Sequence, residues 1–251
     1  MNTIVQVGDV QMTADDIVNY LKFNNEFEEI AERIIKDKIA VAIARQRGVT
    51  LSADALQKAT DDFRRYAGLH RAKETQEWLE GLGVTVDDFE AFITDLMLKN
   101  TMIREITTEK AVEEYFALHS PKFESVDFKQ LILDDKNKAE EIAALLADDP
   151  DLFDELVLEH SVDEDTRFTK GLMMRVRRGS MAPDLEAKVF NAQSGDIVGP
   201  VQFGDEDFYA IVAVLQFHPA ELTEEIQDEV AQTLYDEWLA ERAKELTISI
   251  K

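Results

Sequence analysis

The rhythm of apolar positions along this chain changes at Pro121 and again at Pro219. Before Pro121 it is almost wholly helical. TIVQV at 3–7 reads as a short strand ended by Gly8-Asp9. In FEEIAERIIKDKIAVAIARQRG, Ile30, Ile34, Ile35, Ile39, Ala42 and Ile43 recur at three and four residues, and Gly48 stops the run. Residues 52–69 and 72–81 continue helical, as do 86–106 with Phe89, Phe92, Ile93, Leu96, Met97 and Ile103. TEKAVEEYFALHSP is a further helix closed by Pro121. TADDI at 13, SADAL at 52 and TVDDF at 85 each place a hydroxyl residue before acids. The hydroxyl caps an orphan N–H, and the acids oppose the positive helix end. The first ~120 residues are therefore predicted to be all-α after one short strand.

Beyond Pro121 the pattern is mixed. SVDFKQLIL at 125–133 reads as a strand, KAEEIAALLADDP as a helix stopped by Pro150, and LFDELVLEHS as a short helix. GDIVGPVQFG supplies Gly and Pro punctuation before the dense apolar strand FYAIVAVLQF at 208–217. This order predicts a compact α+β domain. After Pro219, Leu222, Ile226, Val230, Leu234 and Trp238 form a stripe at spacing four, with a second row at Ala231, Tyr235 and Leu239. So wide an apolar face must be buried. The N-terminal helices are the expected acceptor, which makes the α+β domain an insert. TISI at 247–250 reads as a terminal strand. The expected division is 1–122, 123–218 and 219–251.

Charge and composition narrow the function. The 52 acidic and 27 basic residues give a net charge of −25, which argues against nucleic acid or an anionic membrane as partner. There is no cysteine, so disulfides and thiolate catalysis are excluded. The four histidines have no metal-ligand spacing, and neither metal nor cofactor is expected. No apolar stretch approaches a membrane span. The opening residues have no basic or apolar leader pattern, so a cytoplasmic location is the expectation, with export if a leader was removed. Against this acidic background Arg167, Lys170, Arg175, Arg177 and Arg178 fall within twelve positions, followed by Met181, Pro183, Leu185 and Phe190.

Residues 123–217 carry KQLIL, HSVDED, KGLMMRVRRGSM, APDLEAKVF, SGDIVGPV and DFYAIVAV in sequence. This succession resembles a parvulin-type (PpiC-like) peptidyl-prolyl cis-trans isomerase domain, most specifically from Gly171 to Val201. The flanks, including IVQVGDVQMTADDIVNYL, are similar to foldases of the SurA and PrsA kind. In those, a helical chaperone domain is completed by a helix that follows the isomerase domain. The implied function is a foldase that binds unfolded or extended segments, with weak prolyl isomerisation. The alternative is an inactive peptide-binding escort for a secretion or peptide-maturation system.

The resemblance assigns a proline socket to Met181 and Leu185, with Met173 and Phe190 nearby. Met181 and Leu185 are four apart, so one helical face is expected to present both; plain core packing is the competing reading, above all for Phe190. Gln130 stands at the family's first-strand histidine, Ala210 at its last-strand histidine, and Asp163 where relatives have Cys or Asp. Gln130 and Asp163 are thus the candidate catalytic residues. GLMM replaces the family's GDLG. Arg175, Arg177 and Arg178 are expected either to rim the site for acidic segments or to pair with the chain's own acids, especially on the last helix. DDKNK lies where some parvulins have a phosphate-reading basic loop, so phospho-specificity is not expected. Trp78 and Trp238 are expected as core anchors. The expected partners are acidic, proline-containing polypeptide clients, with a homodimer open and neither nucleic acid nor membrane insertion.

Overall fold

Thr3–Val7 (β1) turns at Gly8-Asp9 and pairs antiparallel with Val10–Thr13 (β2), a strand that sequence periodicity did not predict. VQMT is too short for its alternation to stand out. The computed structural model describes residues 3–204 and 207–249. The chain divides into two compact units, Met1–Val112 with Val230–Lys251, and Glu113–Glu229.

In the helical unit, Ala14–Phe23 (α1), Phe27–Gln46 (α2), Ala53–Tyr66 (α3), Ala72–Leu82 (α4) and Val86–Ile106 (α5) follow one another. Thr13 and Thr85 form full capping boxes with Asp16 and Asp88, and the Ser52 side chain accepts from Ala55 N. The hydroxyl and the acid each satisfy a backbone donor at the helix start. The second half of α2 is apolar on nearly every side, and Ile39, Ala40, Val41, Ile43 and Ala44 are all buried. They pack with Leu98 and Met102 of α5 and with Tyr235 and Leu239 from Glu224–Ala243 (α10). Trp238 joins the margin of this cluster. A second cluster joins Leu79, Phe89 and Ile93, with Phe63 and Trp78 against it. The Phe63 ring centroid lies 5.3 Å from that of Phe89 and 6.1 Å from that of Trp78.

The second unit takes in the end of Glu109–His119 (α6) and is built on one antiparallel sheet. Ser125–Leu133 (β3), Leu172–Arg177 (β4), Ile197–Phe203 (β5) and Phe208–His218 (β6) lie in the order β4-β3-β6-β5. β3 and β6 pair from Ser125↔His218 to Leu133↔Tyr209. Period-two alternation splits their side chains between two cores. Leu131, Leu133, Tyr209 and Ile211 face Lys136–Asp148 (α7) and Phe153–His160 (α8). Val126, Phe128, Ile132, Ala210, Val212 and Val214 pack with Leu185 and Val189 of Pro183–Phe190 (α9). The fold is α+β. IVGPV, read from sequence as punctuation, lies in strand β5 instead, and LMM of GLMM opens β4. The expected strand at 247–250 is absent at 247–249, and Ile250 lies outside the described residues.

Candidate functional site

Gln130 sits midway along β3, and its side chain meets the loop that follows α8. That loop is fastened to the strand at its start. Val162 N donates to the Ile132 carbonyl at 2.9 Å, and the buried Ser161 hydroxyl accepts from Ile132 N at 3.3 Å. The chain then turns so that the Asp163 carboxylate receives Gln130 Nε2 at 2.8 Å and the Thr166 hydroxyl. Asp165 N donates to the other Asp163 oxygen at 3.1 Å, an Asx-type turn. Burial raises the Asp163 pKa, but the hydrogen bonds from Thr166 and Gln130 outweigh it and hold the carboxyl below its ordinary value.

Gly171 closes the corner. Gln130 N donates to its carbonyl, and Gly171 N donates to the Thr166 carbonyl, each at 2.8 Å. Thr166 and Ser161 were missed in the sequence reading. The D-x-x-T spacing inside SVDEDT was the available signal for Thr166.

Gln130 and Asp163 are therefore brought together directly. Met173, Met181, Leu185 and Phe190 all belong to the core on the α9 side of the sheet, in differing degrees. Met173 and Met181 are part-exposed at its margin. Leu185 is only 7% exposed, so it is a core residue rather than an open socket wall. Met181 precedes the α9 cap at Ala182, which corrects the expectation that one helical face presents both. The cause is Pro183, which takes the first helical position. Phe190 packs between the Arg178 guanidinium, 4.0 Å from its centroid, and Phe217 at 6.0 Å. It follows the core reading. Ala210 is fully buried and brings no polar group.

The arginines separate. Arg177 pairs with Glu229 on α10 at 2.6 Å and Arg178 with Glu124 at 2.8 Å. Both are engaged by the chain's own acids, the alternative expected for them. Arg175 is different. It takes φ +52° at a bulge, where its N–H donates to Asp127 at 2.7 Å. His218 Nε2 lies 2.9 Å from the same Asp127 carboxylate. Burial raises the Asp127 pKa, yet these contacts bring it below its ordinary value.

Cavities of similar size lie in both units, one of about 470 Å³ beside α9 between Lys188, Asn191 and Val198, and two in the helical unit. One of about 470 Å³ runs between α2 and α5, with Ile34, Val41, Phe92 and Leu96 on its walls. Lys38 and Arg45 meet Asp95, and Lys99 meets Asp37, at its borders. Another of about 480 Å³ is lined by α3, α4 and α5 around Leu79 and Phe89. Among the described residues, no three or more His, Cys, Asp or Glu side chains converge as a cation site, and no helix is long and apolar enough to cross a membrane.

Comparison with known proteins agrees with this geometry. Residues 128–216 match the model of the rotamase family, the PPIC-type PPIase domain. The foldase protein PrsA of Halalkalibacterium halodurans is 22% identical over 243 residues, 93% of this chain and 70% of the relative. Foldase protein PrsA 2 of Bacillus cereus is 22% identical over 240 residues, covering 95% and 78%. Among solved structures, the peptidylprolyl isomerase PrsA of Bacillus cereus superposes with a TM-score of 0.52 at 16% identity, covering 100% of this chain and 94% of that one. The α9-faced sheet with its Gln130–Asp163 corner thus matches a parvulin-type, PpiC-like peptidyl-prolyl isomerase domain, and the chain that carries it is similar along most of its length to PrsA foldases.

Proposed function

We propose that this protein is a foldase that holds unfolded polypeptide segments and slowly isomerises prolyl bonds within them. The observations that carry the reading are the Gln130–Asp163–Thr166 corner and the part-exposed Met173 and Met181 at the margin of the α9-side core of the same sheet. Prolyl isomerisation breaks no σ bond; it must twist an amide across a barrier of about 18–20 kcal/mol. Only interactions stronger in the twisted state than in the planar one help. A thioether margin takes a pyrrolidine ring and sheds water from the amide. That disfavours the planar form, which has the larger dipole. Asp163, held ionised, keeps the Gln130 amide oriented, and the Gln130 carbonyl oxygen is the acceptor available to a client. The cavity between α2 and α5 supports a holding role, since its size and apolar walls suit side chains of an unfolded segment.

A second reading, an escort without turnover, is favoured by one observation. Gln130 Nε2 already serves Asp163 and approaches Thr166 at 3.5 Å, and the buried Ala210 adds no polar group. NMR exchange on X-Pro peptides separates the two. Turnover above the uncatalysed rate, lowered about tenfold or more in Met181→Ala, is expected for the enzyme. Peptide binding with no acceleration would establish the escort. We further propose that the clients are acidic and proline-containing. Light scattering of the full chain tests the accompanying proposal of a homodimer.

A further inference from the structure

β4 is an end strand, paired only with β3 among the described strands. In an antiparallel ladder, alternate residues turn both N–H and C=O toward the same neighbour. Gln130 N donates to Gly171 O, and Met173 stands opposite Phe128, so these odd positions face β3. Leu172 and Met174 consequently turn their backbone groups away from the sheet. Their side chains are exposed as well, at 38% and 65%, and Phe168, just before the strand, is 76% exposed. An apolar free edge is ordinarily blunted because it invites another strand.

The local charge departs from that of the chain. Arg167 lies over the Phe168 ring at 4.9 Å, and Arg175 stands at the far end of the edge. Neither makes an ion pair among the described residues, whereas Lys170 is held by Asp154 at 2.9 Å. In a chain of net charge −25, this edge is flanked by two cations that close no ion pair among the described residues, although Asp127 lies near enough to Arg175 to feel its charge. A second copy is a poor occupant, because self-pairing of β4 brings the same cations together.

We propose that the outer edge of β4 is a strand-addition site for an extended polypeptide segment with acidic side chains around apolar ones. Backbone groups of Leu172 and Met174 supply the ladder, their side chains and Phe168 supply apolar contact, and Arg167 and Arg175 select for acids. The proposal rests on the foldase reading for its supply of extended segments, and it is independent of prolyl turnover.

The probe is a labelled ten-residue peptide of alternating valine and glutamate without proline, titrated against the full chain by fluorescence anisotropy. The same peptide N-methylated on one alternate set of residues should bind about tenfold more weakly, and on the other set nearly unchanged. Equal behaviour of the two sets overturns strand addition without any change to the protein. A valine-lysine peptide should bind about tenfold more weakly than the glutamate one, and the difference should shrink in high salt. Equal affinity overturns the charge selection. Phe168→Glu and Met174→Glu should each weaken the glutamate peptide while prolyl turnover persists; unchanged affinity in both places the peptide elsewhere. If prolyl turnover is absent but this pattern is seen, only the enzyme reading fails. Turnover without the pattern removes only the β4 site.

Discussion

A Cβ built on Gly171 would lie 2.0 Å from the Gln130 carbonyl oxygen, and the residue has φ +72°. Both facts concern the same corner that positions Asp163, so the backbone there has no room for a side chain. Gly171→Ala is expected to cost at least about 2 kcal/mol and to disrupt the Gln130–Asp163 contact. Thermal unfolding and the amide chemical shift of Gln130 check the two parts separately. Asp163 itself carries a pH signature. Its pKa is lowered on folding, so the stability it contributes is present above the unfolded carboxyl pKa, about 3.9. That contribution is lost as pH falls through the lower folded value. The stability gap between wild type and Asp163→Asn should therefore be constant near neutrality and narrow on acidification below about pH 4, as followed by urea unfolding. A gap that widens toward acid would mean the carboxyl is raised, not lowered.

At the scale of elements, the helix starts were legible because their chemistry is local. Thr13, Ser52 and Thr85 cap as their sequence context dictates. Thr85→Ala should remove about 1 kcal/mol from the helical unit, measurable by denaturant titration. The long central strands were equally legible, since β6 presents a continuous apolar stretch and β3 alternates apolar with polar residues before ending in Leu131-Ile132-Leu133. β2, β4 and β5 were not. Each is short or interrupted, and each depends on a partner strand remote in sequence or on a bulge, as at Val126/Phe128 and Val198/Val201. The candidate site divides along the same line. Gln130 and Asp163 were found through the motif they occupy. The closeness of Arg177 to Glu229 and of Arg178 to Glu124 depends on tertiary placement that no spacing encodes. Met181 was misassigned to α9 because four-residue spacing was read without allowing for Pro183 at the helix start.

At the scale of the whole molecule, each unit has its own interior, and the sequence of α10 is divided between the two units. Ile226 belongs to the segment in the sheet-containing unit, while Tyr235 and Leu239 complete the core of the helical one. Leu239→Ala should destabilise the helical unit by about 2–5 kcal/mol. Hydrogen exchange should then show lost protection in α2 and α5, with the β3–β6 ladder unaffected.

The pairing of Ser125 with His218 has a further consequence. The polypeptide enters and leaves the four-stranded sheet itself on adjacent strands, at positions about 5 Å apart. A segment whose two ends meet like this resembles a cassette in a socket. A short linker bridging the gap would reconnect the remaining chain, and a foreign domain with equally close termini would fit the same opening.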